Sequence, residues 1–232
     1  MIVSVHQPHY LPWLGYFDKI DCADIFVLLD NVQYEIRGWQ NRNNIKTSNG
    51  AHMLTIPVRH EFDSTIGDVS IDTTRRWAKK HMNTIRMSYS KAPYFSSYVT
   101  FLEDIYSRTW ENLADITKEM LGFFVAELGI STEILTASEM GELPEEPNER
   151  IARIVAQTGG DVYLSGSGAR EYYCNEPFEK EGVSVVFQDF ETVPYEQLYG
   201  DFIPGMAVID SLFNLGGKGT LETIRKGRRT VL

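Results

Sequence analysis

Cysteine is almost absent. The 232 residues contain two, Cys22 and Cys174. They stand far apart and outside any metal-ligand spacing, so no cysteine-based metal site is expected, and a reducing compartment is the simplest reading. Long apolar runs are missing too. No stretch approaches the ~20 residues that a membrane helix needs. At the amino end, Val3 to Val5 is too short for a secretory leader and His6 interrupts it. A soluble, cytoplasmic protein without membrane insertion is expected. Positive charge is the third scarcity. The chain has 22 Lys and Arg against 32 Asp and Glu, a net charge of −10. That argues against a general nucleic-acid binder.

The cations that exist are unevenly placed. Arg75, Arg76, Lys79, Lys80, Arg86 and Lys91 fall between Thr73 and Pro93, a stretch without an acid. Between Glu133 and Glu149 there are six Glu and no Lys or Arg. A local basic surface on an acidic protein suits a small anionic ligand, such as a phosphorylated one. A solvated helix face explains the run equally well. Hydrophobic residues make up 43% of the chain, enough for one domain spanning 1–232 with a sizeable core.

Hydrophobic patterning reads as alternating strands and helices at both ends. Ile2 to Val5 is a short β-branched strand, Tyr10 to Ile20 a loop and helix, and Ile25 to Leu29 a second buried strand, together a βαβ unit. Asn49-Gly50 marks a hairpin between Ile45–Ser48 and His52–Val58. Helices are expected at Arg75–Ser88, Tyr94–Tyr106 and Thr109–Leu128, with Gly129 as a stop. Further on, Asn148 is expected to cap a helix running to Gln157, and Asp161 to Leu164 is a strand. It leads into Ser165-Gly166-Ser167-Gly168 and a short helix, Ala169 to Cys174. A strand at Val183–Phe187 and a helix at Met206–Leu215 follow. Gly216 to Gly219 and a last helix, Leu221 to Lys226, close the chain. The expected fold is a three-layer, Rossmann-like α/β domain. Its sheet is mostly parallel, with one β-hairpin and a helical insertion at about 72–128.

Several motifs resemble the WbqC-like family, bacterial proteins of surface-polysaccharide gene clusters. His-Gln-Pro-x-Tyr-x-Pro-Trp-x-Gly-Tyr-Phe stands at His6 to Phe17. Val-Gln-Tyr is at Val32 to Tyr34 and Trp-Gln-Asn-Arg-Asn at Trp39 to Asn43. Lys91-Ala-Pro-Tyr-Phe95, Tyr163-Leu-Ser-Gly166 and Asp210-Ser-Leu-Phe-Asn214 are similar as well. The resemblance implies a role in making O-antigen, lipopolysaccharide or capsule sugars. It carries over no catalytic residue.

Candidate site residues cluster at strand ends, where open α/β sheets build their sites. His6 and His9 follow the first strand, and their spacing is similar to the His-x-Gly-His signature of adenylyl-transferring enzymes. Pro8 stands where that signature has Gly, and it offers no N–H to a phosphate. Either imidazole could be an acid, a base or a phosphate partner, or a structural residue. Two imidazoles do not make a zinc site, and no metal is expected from this pair. Gln7, Tyr16 and Lys19 of the same stretch are further candidate substrate contacts.

Gln33, Trp39, Asn41, Asn43 and Lys46 offer amide, ammonium and stacking contacts, and Arg42 a guanidinium suited to phosphate. A solvated hairpin would account for the polar ones but not for Trp39. Ser165, Gly166 and Ser167, between a strand and a helix, could cradle an anion or simply make a tight turn. Gly216–Gly219 poses the same choice. Trp77 and His81 read as core packing. Asp210 is either a carboxylate lining the site or a polar spot on the sheet edge.

Together these suggest a transferase placing an acyl or aminoacyl group on the amine of a nucleotide-linked amino sugar, through an adenylate. His6, His9 and Arg42 would be catalytic. ATP and magnesium would then take part. A non-catalytic nucleotide-sugar binding or assembly protein, and a nucleotidyltransferase acting on a sugar phosphate, stay open as alternatives.

Overall fold

A computed structural model describes residues 1–232. Five strands form one parallel sheet: β1 (Ile2–His6), β2 (Ile25–Leu28), β7 (Glu133–Thr136), β8 (Val162–Ser165) and β9 (Ser184–Phe187). Their spatial order is β7-β2-β1-β8-β9, and β1 is paired on both edges. Successive side chains of a strand point to opposite faces, and the β-branched runs supply an apolar residue to each. Phe26 and Leu28 join a core of 38 buried residues built with α1 (Leu14–Cys22), α4 (Leu113–Leu128) and α7 (Val208–Gly227). Val3, Val5, Ile25 and Val27 join a second core of 11 residues with α5 (Pro147–Gln157) and α6 (Glu176–Lys180). The result is a helix–sheet–helix sandwich of Rossmann-like character.

The two halves of the sheet are wound on opposite faces. Helix α1 connects β1 to β2 on one side. Helix α6 connects β8 to β9 on the other. The chain therefore reverses its winding between β1 and β8, the place where such sheets open a crevice beyond their carboxyl ends.

The remaining elements sit on the larger core. The hairpin β3 (Arg42–Thr47) and β4 (Gly50–Thr55) turns at Asn49-Gly50, with Gly50 at φ 95°. Helices α2 (Trp77–Tyr89) and α3 (Phe95–Ser107) fill the insertion with α4, which doubles as the crossover from β2 to β7. A small ladder of β5 (Val58–Arg59) with β6 (Ser70–Ile71) was not expected, nor was α6. Both are too short to show a period.

Other boundaries shift for local reasons. The cap of α5 is Glu146, whose side chain accepts from the Glu149 N–H at 2.7 Å, with Pro147 as the first helical residue. Asn148 instead ties down the later loop: its Nδ2 donates to the Tyr172 carbonyl and its Oδ1 accepts from the Cys174 N–H. The helix expected at Ala169–Cys174 is a single 3-10 turn, Ser167–Glu171.

The glycines at 216–219 do not form an anion nest. Only Gly216 leaves the helical region (φ 73°, ψ 173°), kinking α7 rather than ending it. The next N–H, of Gly217, donates to Tyr98 Oη at 2.8 Å. A Cβ at 217 would collide with the Glu127 carbonyl oxygen of α4. Gly217→Ala should therefore lower unfolding free energy by about 1–3 kcal/mol through overpacking, read as a lower urea midpoint at unchanged slope.

Candidate functional site

The crevice at the winding reversal is a cavity of about 650 Å³, within the size range of small-ligand sites. Its floor comes from the end of β1 and the loop after it: Val5, His6, Gln7 and His9. Lys19 reaches in from α1. One wall is the end of β8 with Tyr163, Ser165 and Gly166. The other carries Val32, Gln33, Glu35 and Trp39 from the segment after β2. Pro147, Arg150 and Ile151 of α5 and Tyr172 complete the rim.

Hydrogen bonds fix the floor. His6 Nδ1 lies 3.1 Å from the Gln7 carbonyl. A carbonyl only accepts, so Nδ1 carries the proton and Nε2 keeps its lone pair. Tyr16, buried behind the imidazoles, donates its hydroxyl to the same carbonyl at 3.1 Å. The His6 and His9 rings meet edge-on with centroids 4.7 Å apart, and each also packs on the Tyr16 ring. Gln40 Nε2 donates to Gln7 Oε1 at 2.6 Å and holds that side chain.

Lys19 is the electrostatic centre. It is 2% exposed, donates to the Val5 carbonyl at 3.1 Å and has no carboxylate in ion-pair contact. Burial alone pushes its ammonium down to about 7. Burial, then the charge of Lys19, lowers His9 to about 3. His6 is also held well below the ordinary imidazole value, first by burial, then by Lys19 and His9, against the Gln7 carbonyl, which favours its charged form. The floor thus holds two neutral imidazoles beside one cation that has no counter-ion.

Of the other sequence candidates, Gln33, Trp39, Ser165 and Gly166 also line the cavity. Trp39 is 45% exposed at the rim. Gln33 is tethered there, its Nε2 donating to the Phe62 carbonyl at 2.7 Å. The structure places the rest elsewhere. Arg42 is turned onto its own loop, Nε donating to the Gly38 carbonyl at 3.2 Å and Nη2 to that of Arg37. It does not line the cavity. Asn41 donates to the Ile56 carbonyl. Asn43 donates to the Leu11 carbonyl at 2.7 Å and so holds the left-handed Leu11 (φ 48°) in the loop that presents His9. Lys46 is buried on the carbonyls of Gly200 and Asp201. Asp210 accepts from Tyr89, Tyr195 and Gln197, each at 2.7 Å, and is wholly buried. Tyr16 supports the floor without lining it, and Ser167 is exposed beside it. None of these residues lines the cavity.

Sequence reasoning missed Trp13, Glu35, Arg150, Tyr163 and Tyr172 as lining residues. Tyr163 had a signal, since it opens the Tyr-Leu-Ser-Gly motif at the end of β8. Arg150 and Tyr172 had none, because only the return of the chain through α5 and the 3-10 turn brings them to the rim. His81, by contrast, packs in the core as expected, its Nδ1 2.9 Å from Tyr10 Oη. No cluster of three or more His, Cys, Asp or Glu side chains able to hold a metal ion occurs. Glu35 is the single carboxylate lining the cavity, so magnesium would have to be held largely by a guest's phosphates.

The fold and this crevice define an α/β protein of the doubly wound kind with one recessed, cation-bearing site. The chain belongs to the WbqC-like protein family, whose model matches residues 7–221. It is 36% identical over 220 residues to the uncharacterized protein Rv1507c of Mycobacterium tuberculosis (strain ATCC 25618 / H37Rv), covering 93% of this chain and 94% of that one. No solved structure matches it.

The displaced Lys19 makes stability depend on pH. In the unfolded chain it titrates near the usual ~10.4, in the folded chain near 7. Between these values the unfolded state holds a proton that the folded state has released, so stability rises with pH. Wild type should gain about 2 kcal/mol over Lys19→Met between about pH 7 and pH 9, measured as the difference between their urea-unfolding curves.

Proposed function

We propose that the cavity binds a phosphorylated, nucleotide-linked amino sugar, and that the protein is a cytoplasmic transferase of surface-polysaccharide biosynthesis acting on the sugar's amine. The observation that carries this reading is Lys19, a buried ammonium with one carbonyl acceptor and no counter-ion, facing a cavity of ligand size. A cation left this way is costly unless an anion arrives. A phosphate oxygen would accept the spare N–H groups of Lys19, and that charge-assisted contact is of the strong kind. Trp39 at the rim offers a face to a base or sugar ring.

The chemistry follows from the fixed tautomer of His6. Its Nε2 is a proton acceptor, and a bound phosphate offsets the charge of Lys19 that depresses its basicity. In the proposed step the sugar amine attacks the carbonyl carbon of an acyl adenylate. A C–N bond forms, the C–O bond to the nucleotide phosphate breaks, AMP leaves as the phosphate monoester, and the amine proton passes to His6 Nε2. The acyl adenylate derives from ATP and a carboxylic acid, with pyrophosphate released. Lys19 positions the phosphate, and the recessed floor keeps out water that would hydrolyse the mixed anhydride.

The test is mass spectrometry of nucleotide-linked amino sugars incubated with protein, ATP-magnesium and small carboxylic acids, alongside calorimetry of sugar binding. An N-acylated product and AMP are expected. Lys19→Met should weaken binding by about ten- to hundredfold, the worth of a charge-assisted hydrogen bond. His6→Gln should keep binding and slow turnover about 10²-fold. Binding should also weaken as pH rises above about 7, where the free ammonium is lost. Full turnover in His6→Gln removes the step. Binding with no product from any acid makes this a nucleotide-sugar binding protein. Pyrophosphate release with a sugar phosphate alone makes it a nucleotidyltransferase.

A further inference from the structure

We propose that the outer face of α2 docks the protein on an anionic lipid bilayer. The basic run of the sequence does not serve the cavity, since none of its residues lines it. It lies along α2 and the residues flanking it. Arg76, Lys79, Lys80, Asn83, Arg86, Met87 and Lys91 recur every three to four residues and are all exposed, so they form one stripe. Arg86 is paired with Glu103, and Arg75, just before the stripe, with Asp72 at 3.3 Å. Arg76, Lys79, Lys80 and Lys91 have no carboxylate within ion-pair distance. Two of these four unpaired cations, Lys79 and Lys80, lie in α2, Arg76 is its N-cap and Lys91 follows its end, on a chain of net charge −10.

The stripe is rigid. The opposite side of α2 buries Trp77, Met82, Ile85 and Tyr89 in the larger core. Thirteen helical residues present it over about 20 Å. Its chemistry fits a bilayer more closely than another polyanion. Met87 is 80% exposed among the cations. An apolar side chain among cations suits headgroup depth, where it rests beside lipid phosphates. A planar surface meets one face at a time, and the acidic remainder of the chain is screened beyond ~8 Å at physiological salt. Each Lys or Arg near such a surface adds attraction, so four give reversible, salt-sensitive adsorption without insertion.

The experiment is co-sedimentation of the full chain with large vesicles of phosphatidylcholine containing phosphatidylglycerol, against vesicles of phosphatidylcholine alone, at low and physiological salt. Binding to the anionic vesicles only, weakened by salt, is expected. Lys79→Glu with Lys80→Glu should lower the bound fraction by about tenfold or more. Lys218→Glu with Lys226→Glu makes the same change in net charge at two exposed positions of α7 and should leave binding as in wild type. Absence of binding at low salt overturns the proposal, as does equal loss in both double variants. So does lipid-free self-association that the α2 double variant abolishes while vesicle binding is absent. That last result would assign the stripe to the acidic Glu133–Glu149 segment of a second copy.

Discussion

Pairing of β1 on both edges is the constraint from which the site follows. A strand held between β2 and β8 must run to the rim of the sheet. The crossovers that leave its neighbourhood depart to opposite faces, so a crevice opens beyond its end. Its last residue, His6, opens into that gap. The loop from Gln7 to Trp13 then has to turn back over the sheet to start α1, and this carries His9 to the same floor. Helix α1 returns Lys19 beneath both. Three polar side chains within fourteen residues thus meet through one βαβ unit.

The scaffold around that unit is expensive in polar groups. The left-handed Leu11 stays in place because Asn43 takes its carbonyl. Gln7 is orientated because Gln40 takes its side chain and Tyr16 its carbonyl. A buried amide without a partner costs free energy of the order of a lost hydrogen bond or more, and the amide nitrogens of Gln40, Asn41 and Asn43 each donate inside the protein, while Gln40 Oε1 is buried without a partner. The many polar residues of Trp39–Lys46 are therefore mostly the internal bracing of a loop and a hairpin. Their side chains look inward, and Trp39 alone of that run lines the cavity.

This explains what was legible in the sequence and what was not. Short runs of β-branched, aromatic and aliphatic residues identify β1, β2 and β8, and their alternation with helices identifies the layered, parallel architecture. His6 and Ser165 are legible as site candidates because they end such runs. That Arg42, Asn41, Asn43, Lys46 and Asp210 bond away from the cavity was not legible for one reason: residue type announces a capacity for hydrogen bonding but not the direction in which it is used. Arg150 and Tyr172 were silent because their position depends on where α5 and the 3-10 turn return to the sheet. A one-dimensional pattern does not encode that distance.

The two buried lysines show how direction separates scaffold from site. Lys46 and Lys19 are each 2% exposed. Lys46 gives its ammonium to two carbonyls, at 2.5 and 3.3 Å, and the buried carboxylate of Asp210 lies within reach of its field. Its charge is solvated by the protein itself, and no guest could improve on that. Lys19 has one carbonyl, at 3.1 Å, and its neighbours are imidazoles that burial and its own charge keep neutral. An ammonium can donate three hydrogen bonds, so this one is under-satisfied on the side that faces the cavity. Lys19 lines the crevice beside His6, so the hydrogen bonds that the fold leaves unused on its ammonium are open to a partner from outside.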